Sequence, residues 1–133
     1  MIEVHNLMKR YGGFTALKGI SFTAKPGEIL GILGPNGAGK TTTMRILTGF
    51  MPPTDGKAMI AGFDVRDDSL EVRRRVGYMP ERVPLYPDMT VEGFVEFWAK
   101  LRGVKDARKQ THAVLDRVNL LERRKSLVRK LSK

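Results

Sequence analysis

Gly34-Pro35-Asn36-Gly37-Ala38-Gly39-Lys40-Thr41 fits the spacing G-x-x-x-x-G-K-[ST], and these residue types have a joint physical use. Glycines let the main chain wrap closely around an anion, so that successive N–H groups converge on it. A helix starting directly behind the loop adds its free N-terminal amides and the positive end of its dipole. Lys40 is placed to reach the outer phosphate oxygens, Thr41 to offer its hydroxyl to Mg²⁺, and Thr42 to touch the innermost phosphate. Gly34, Asn36, Gly37, Ala38 and Gly39 supply the cradle. The competing reading is a glycine-rich turn with an exposed lysine. The flanks weigh against it, because a continuous apolar run precedes the loop and an amphipathic pattern follows.

Working outward, Glu28-Ile29-Leu30-Gly31-Ile32-Leu33 reads as a central strand buried on both faces. Thr41 to Thr48 reads as a helix burying Met44, Ile46 and Leu47 and stopped by Gly49. Upstream, Ile2 to Leu7 and Ile20 to Ala24 alternate as half-buried strands, separated by the Gly12-Gly13 turn signal. Downstream, Pro52-Pro53-Thr54-Asp55-Gly56 marks a turn before a short strand over Lys57 to Ala61. Asp67 or Asp68 caps a helix through Arg74, and Val76 to Met79 is a short strand closed by Pro80. Val91, Phe94, Val95, Trp98 and Leu101 recur at helical spacing, with Thr90 as N-cap and Gly103 past the end. Phe94 and Trp98 sit on that helix's apolar face and are expected in the core. Val114, Leu115 and Val118 mark a further amphipathic helix after a cap at Asp106. The class is α/β, with strands dominating the first 80 residues and helices the rest.

Composition narrows the function classes. At 133 residues the chain is too short for two ordinary domains, and 41% apolar content is enough for a packed core. No cysteine excludes disulfides, and two distant histidines make a zinc site improbable. No apolar run is long enough for a membrane helix, and no signal peptide precedes the first strand, so the expected compartment is the cytosol. The net charge of +10 is uneven: residues 100–133 hold twelve Lys and Arg against three acidic residues, which is +9. A basic end on a near-neutral body points to an anionic partner surface or to an uneven cut through a longer chain, the cut ahead of a dedicated nucleic-acid surface.

Leu33 to Thr42 resembles the phosphate loop of an ATP-binding-cassette (ABC) ATPase, the P-loop NTPase subunit that powers ABC transporters. Pro53-Thr54-Asp55-Gly56 and Arg74-Arg75-Val76-Gly77-Tyr78-Met79-Pro80 match further landmarks, and the resemblance spans essentially the whole chain. It implies ATP and Mg²⁺ as ligands and Tyr11 as the aromatic that stacks on adenine. It also implies a partial ABC domain, with residues 1–85 as nucleotide-binding core and 86–133 as a truncated helical subdomain. Partners would be a second ATPase subunit, as homodimer or heterodimer, and a membrane permease. The permease would hold the protein at the inner face of the membrane, facing Tyr86 and the Val91 to Leu101 helix.

Two departures stand out. Where the family usually places a Gln after the strand ending at Pro80, this chain has Glu81, here expected to contact the metal and attacking water in its stead. Glu81 with Pro84-Leu85-Tyr86 and Met89-Thr90-Val91 resembles an export-type subgroup. The chain also closes at Leu131-Ser132-Lys133, similar to the opening of the family signature, without the acidic strand that follows in the family. The 133 residues alone are therefore expected not to hydrolyse ATP. Alternatives are a soluble ABC-type ATPase acting on nucleic acid or ribosomes, and a non-functional truncated relic. A GTPase is disfavoured, because no Asn-Lys-x-Asp element is present. The basic run Arg123-Arg124-Lys125 with Arg129-Lys130 reads as a solvated face, with anionic headgroups as the minor alternative.

Overall fold

The Gly12-Gly13 turn folds the first two strands onto each other, and the computed structural model describes them with the rest of residues 1–81 and 83–131. Strands β1 (Ile2–Tyr11) and β2 (Phe14–Ala24) pair antiparallel, and both are longer than their alternating cores suggest. The other edge of β1 takes β3 (Asp55–Ile60), and β4 (Phe63–Asp64) closes the sheet in the order β2-β1-β3-β4. A bulge interrupts β1. Asn6 has φ 46°, and its N–H donates to the Ser21 hydroxyl at 2.8 Å. That extra residue explains why Val4 and Leu7, three apart, are both buried, where strict alternation would bury Asn6 instead.

Helix α1 (Lys40–Leu47) lays Ile46 and Leu47 into the core with Val4, Leu7, Leu17 and Ala58. Helix α2 (Ser69–Arg75) adds Val72 to the same cluster. Asp68 is its N-cap residue, but the Asp68 carboxylate accepts from Asp64 N at 3.3 Å instead of bonding the helix.

The chain divides into two compact units, Met1–Met79 and Pro80–Lys133. In the second, α3 (Val91–Leu101) begins at Thr90, whose hydroxyl accepts from Gly93 N at 3.0 Å. Helix α4 (Ala107–Arg117) follows, and a short 3-10 turn spans Val128–Lys130. Residues 123–129 fold back over the start of α3: Val91 N donates to Ser126 O and Glu92 N to Arg124 O, both at 2.9 Å. Of the signature-like ending, Ser132 and Lys133 lie outside the described residues, as does Arg82.

Several sequence expectations need correction. Residues 28–33 are not a buried central strand: no ladder partner is found among the described residues, and Ile29 and Leu33 are 98% and 94% exposed. An apolar run fixes only that a strand could be buried there, while pairing requires neighbours on both sides. Val76 to Met79 likewise enters no strand ladder among the described residues, although Val76 itself is extended. On α1 the inward position expected for Met44 belongs to Thr43, and Met44 is 41% exposed. On α4 only Leu115 of the expected triad is buried, beside Ala107 and Thr111. Asp106 precedes it with φ 52° and makes no side-chain cap.

The apolar face of α3 is the largest difference. Only Val91 is buried; Phe94 is half-buried and Trp98 is 39% exposed. Phe94 and Trp98 are therefore not core residues in the expected sense. They join Tyr86 and Phe97 in a chain of edge-to-face ring contacts with centroid separations of 5.5–6.4 Å.

Candidate functional site

The phosphate loop is built as its spacing requires. Gly39 has φ 85°, a left-handed turn that swings the chain from the loop into α1. The first helical bond runs from Thr43 N to Gly39 O at 2.8 Å. The amides of Lys40, Thr41 and Thr42 lie ahead of it, in the first turn, where no helical carbonyl reaches. These amides and the helix dipole create a positive mouth that suits a phosphate group. Gly37 also has positive φ, 83°, and the loop closes on itself through Ala38 N to Pro35 O at 3.2 Å.

Lys40 leans back across this mouth. Its Nζ donates to the carbonyls of Gly34 and Pro35 at 2.5 and 2.8 Å. Triphosphate oxygens would compete with those neutral carbonyls for the ammonium and offer stronger, charge-assisted bonds. The side chain of Thr41 is exposed on the first turn, and Thr42 is half-buried. Asn36, Gly37 and Ala38 form the exposed rim, with Gly34 at its start. One hydroxyl is a modest metal site on its own; a Mg²⁺ carried by a nucleotide would take its remaining ligands from phosphate oxygens and water.

Thr43 lies outside the loop's sequence pattern. It is buried, and its hydroxyl donates to Gly39 O at 3.0 Å, fastening the loop's last turn to the helix. The signal was available: Thr43, Ile46 and Leu47 share one helical face, so the third of three consecutive threonines had to point inward.

Tyr11 stands at the end of β1 in the same unit, 44% exposed. Its hydroxyl donates to Met51 Sδ at 3.1 Å, and Lys9 Nζ lies 5.5 Å from the ring centroid. Glu81 belongs to the second unit and is exposed. Among the described residues no group of three or more His, Cys, Asp or Glu gathers as a metal site.

The second unit carries its own electrostatic centre. Glu92, on the first turn of α3, receives His112 Nε2 at 2.9 Å, Arg108 Nε at 3.5 Å and Arg124 Nε at 3.9 Å. The His112 hydrogen bond, with the nearby His112, Arg108 and Arg124 charges, holds its carboxyl below the ordinary value, while burial opposes the shift. Arg129 pairs with Asp88 at 3.1 Å, whereas Arg123, Lys125 and Lys130 stand exposed. Among the described residues no helix is long and apolar enough to cross a membrane.

A family model described as "ABC transporter" matches residues 17–133. The linearmycin resistance ATP-binding protein LnrL of Bacillus subtilis (strain 168) is 37% identical, over 99% of this chain and 43% of its own length. The SkfA peptide export ATP-binding protein SkfE of the same organism is 36% identical, over 100% of this chain and 56% of its own. The chain thus spans about half the length of these curated relatives. A solved ATP-binding subunit of an ABC transporter superposes with TM-score 0.84 at 30% identity, covering 100% of this chain and 56% of that one. A second, an ATP-binding cassette captured as a post-hydrolysis dimer with ADP and Pi, gives TM-score 0.81 at 26% identity, covering 99% and 63%. With the loop's geometry and a family match over most of its length, the chain belongs to the ABC transporter ATP-binding family and has the P-loop fold of its ATPases.

Proposed function

We propose that this chain binds the triphosphate of Mg-ATP on Gly34 to Thr42. In the complete dimeric protein, hydrolysis of that ATP drives export through a separate membrane permease. The observation carrying the first part is the Gly39 turn into α1, which sets the amides of Lys40 to Thr42 and the Lys40 ammonium around one mouth. Lys40 takes the outer phosphate oxygens, and Thr41 offers one hydroxyl to the Mg²⁺ that accompanies the nucleotide. Thr42 meets the innermost phosphate, and Tyr11 stacks on the adenine. Glu81 fills the position where the family usually has Gln, meeting the metal and attacking water; as a carboxylate it adds repulsion near the outer phosphate.

Export is supported by the printed roles of similar proteins, one in linearmycin resistance and one in SkfA peptide export. Dimerisation is supported by the dimeric neighbour holding ADP and Pi. The ring cluster of Tyr86, Phe94, Phe97 and Trp98 offers exposed apolar area in the unit assigned to the permease. The protein would then work at the cytoplasmic face, held there by that partner. Residues 1–133 alone contribute the binding loop without turning ATP over.

Titrating the full-length protein with Mg-ATP while following backbone amide NMR signals tests the first part. Gly37 to Thr42 should shift, and Lys40→Ala should suppress the response. Unmoved loop amides at saturating ATP would sink the assignment.

A further inference from the structure

The ring of Tyr11 is fixed by residues that no phosphate-loop argument accounts for. Its hydroxyl donates to the thioether of Met51 at 3.1 Å. Lys9 lies over the ring at 5.5 Å from its centroid, and the same ammonium donates to Pro52 O at 2.7 Å. Thr54 ties the two segments again: its N–H donates to Met8 O at 2.9 Å, and its hydroxyl accepts from Arg10 N at 3.0 Å. The segment 51–54 is therefore stapled along the end of β1, with the ring held at its hydroxyl edge and on one face.

Met51 connects this clamp to the phosphate loop. It packs, partly buried, against the core cluster that contains Ile46 and Leu47 of α1. The chain leaves α1 at Thr48 and reaches Met51 three residues later. The N-terminal end of α1 presents the phosphate amides, and the segment after its C-terminal end grips the aromatic ring. A thioether suits this task, because it is soft enough to fill the gap under the ring and still accept a weak hydrogen bond.

The geometry points to Met51 as a positioning residue that, with Lys9, orients Tyr11 as a one-faced platform for the nucleotide base. Lys9 covers one ring face, so the base is received on the other. The cation also draws electron density toward its own side, which favours stacking of an electron-rich purine opposite. The inference rests on the reading of Tyr11 as the base platform, and the experiment separates the two.

Dissociation constants for Mg-ATP and for Mg-tripolyphosphate, which has no base, are measured on the full-length protein and on Met51→Ala, Tyr11→Phe, Tyr11→Ala and the Met51→Ala/Tyr11→Phe pair. Met51→Ala and Tyr11→Phe should each weaken ATP about three- to fivefold, the size of one modest hydrogen bond, and leave tripolyphosphate unchanged. The double variant should be no weaker than either single one, because both remove the same contact. Met51→Leu, which fills the gap without an acceptor, should behave like Tyr11→Phe. Tyr11→Ala should weaken ATP about tenfold or more while sparing tripolyphosphate. Equal losses for both ligands in Met51→Ala, or additive losses in the pair, would overturn the positioning role while the platform survives. If Tyr11→Ala leaves the ratio of the two constants unchanged, the platform itself is wrong and the inference goes with it.

Discussion

Gly39 lies directly against Leu17: a Cβ at residue 39 would come within 2.5 Å of Leu17 Cδ2 and 2.7 Å of the Ala16 carbonyl. The last glycine of the loop thus serves two purposes, a left-handed φ of 85° and a close seat on β2. The second matters for function, because Leu17 is a buried core residue that cannot withdraw freely. The loop is held in place from beneath.

Gly39→Ala should therefore damage binding more than Gly37→Ala, whose Cβ meets nothing within 4 Å. Both substitutions carry the left-handed penalty of about 1–2 kcal/mol, but only the first must also move the backbone of β2 or Leu17. We expect Gly39→Ala to lower the melting temperature and to weaken Mg-ATP binding at least tenfold. Calorimetric titration beside thermal melting checks both. Equal behaviour of the two variants would show that seating on Leu17 is unimportant.

Lys40→Ala separates binding from folding. The Lys40 ammonium bonds exposed loop carbonyls that water can satisfy, so its loss should change stability by less than about 0.5 kcal/mol. Mg-ATP affinity should fall about ten- to a hundredfold, the range for hydrogen bonds to charged groups. Denaturant melts and nucleotide titration of the same preparation decide it. A large stability loss would mean that the lysine braces the loop rather than awaiting a phosphate.

The phosphate loop was legible in the sequence because its demands are local. A left-handed glycine, a lysine and a helix start within a few residues specify the geometry without distant partners. Thr90 as N-cap and the Gly12-Gly13 turn were legible for the same reason. The burial expected of residues 28–33 fails because burial of a strand is a property of its neighbours, and β1 is flanked by β2 and β3 instead. The bulge at Asn6 was hidden too, since the Ser21 hydroxyl that stabilises it lies fifteen residues away. Met51 carried no motif. Its significance arises only when the segment after α1 is laid beside the end of β1.

The aromatic chain through Tyr86, Phe94, Phe97 and Trp98 predicts a contact surface in the second unit. Phe97→Ala and Trp98→Ala should weaken co-purification of the full-length protein with the proposed permease about tenfold, as loss of a central aromatic anchor does. Basal Mg-ATP binding should be retained, because the phosphate loop lies in the other unit. Undiminished permease association in the double variant would remove this face from the proposed interface.

Glu92 gives the second unit a dependence on acid with a definite sign. Its folded carboxyl is held below the ordinary value of 4.5, first by the His112 hydrogen bond and then by the His112, Arg108 and Arg124 charges. A depressed carboxyl contributes stability that is fully present above its unfolded value and is lost as pH falls through the folded one. His112 and Arg108 come from α4, and Arg124 from the segment folded over the start of α3. Protonating Glu92 therefore loosens three segments together. Urea melts of the full-length protein between about pH 6 and pH 3 should lose stability more steeply than those of Glu92→Gln, which has no charge to lose. The difference should shrink in high salt as the Arg108 and Arg124 attractions are screened, while the short His112 contact persists. Parallel acid profiles for the two proteins would mean that the carboxylate contributes nothing to holding the helices.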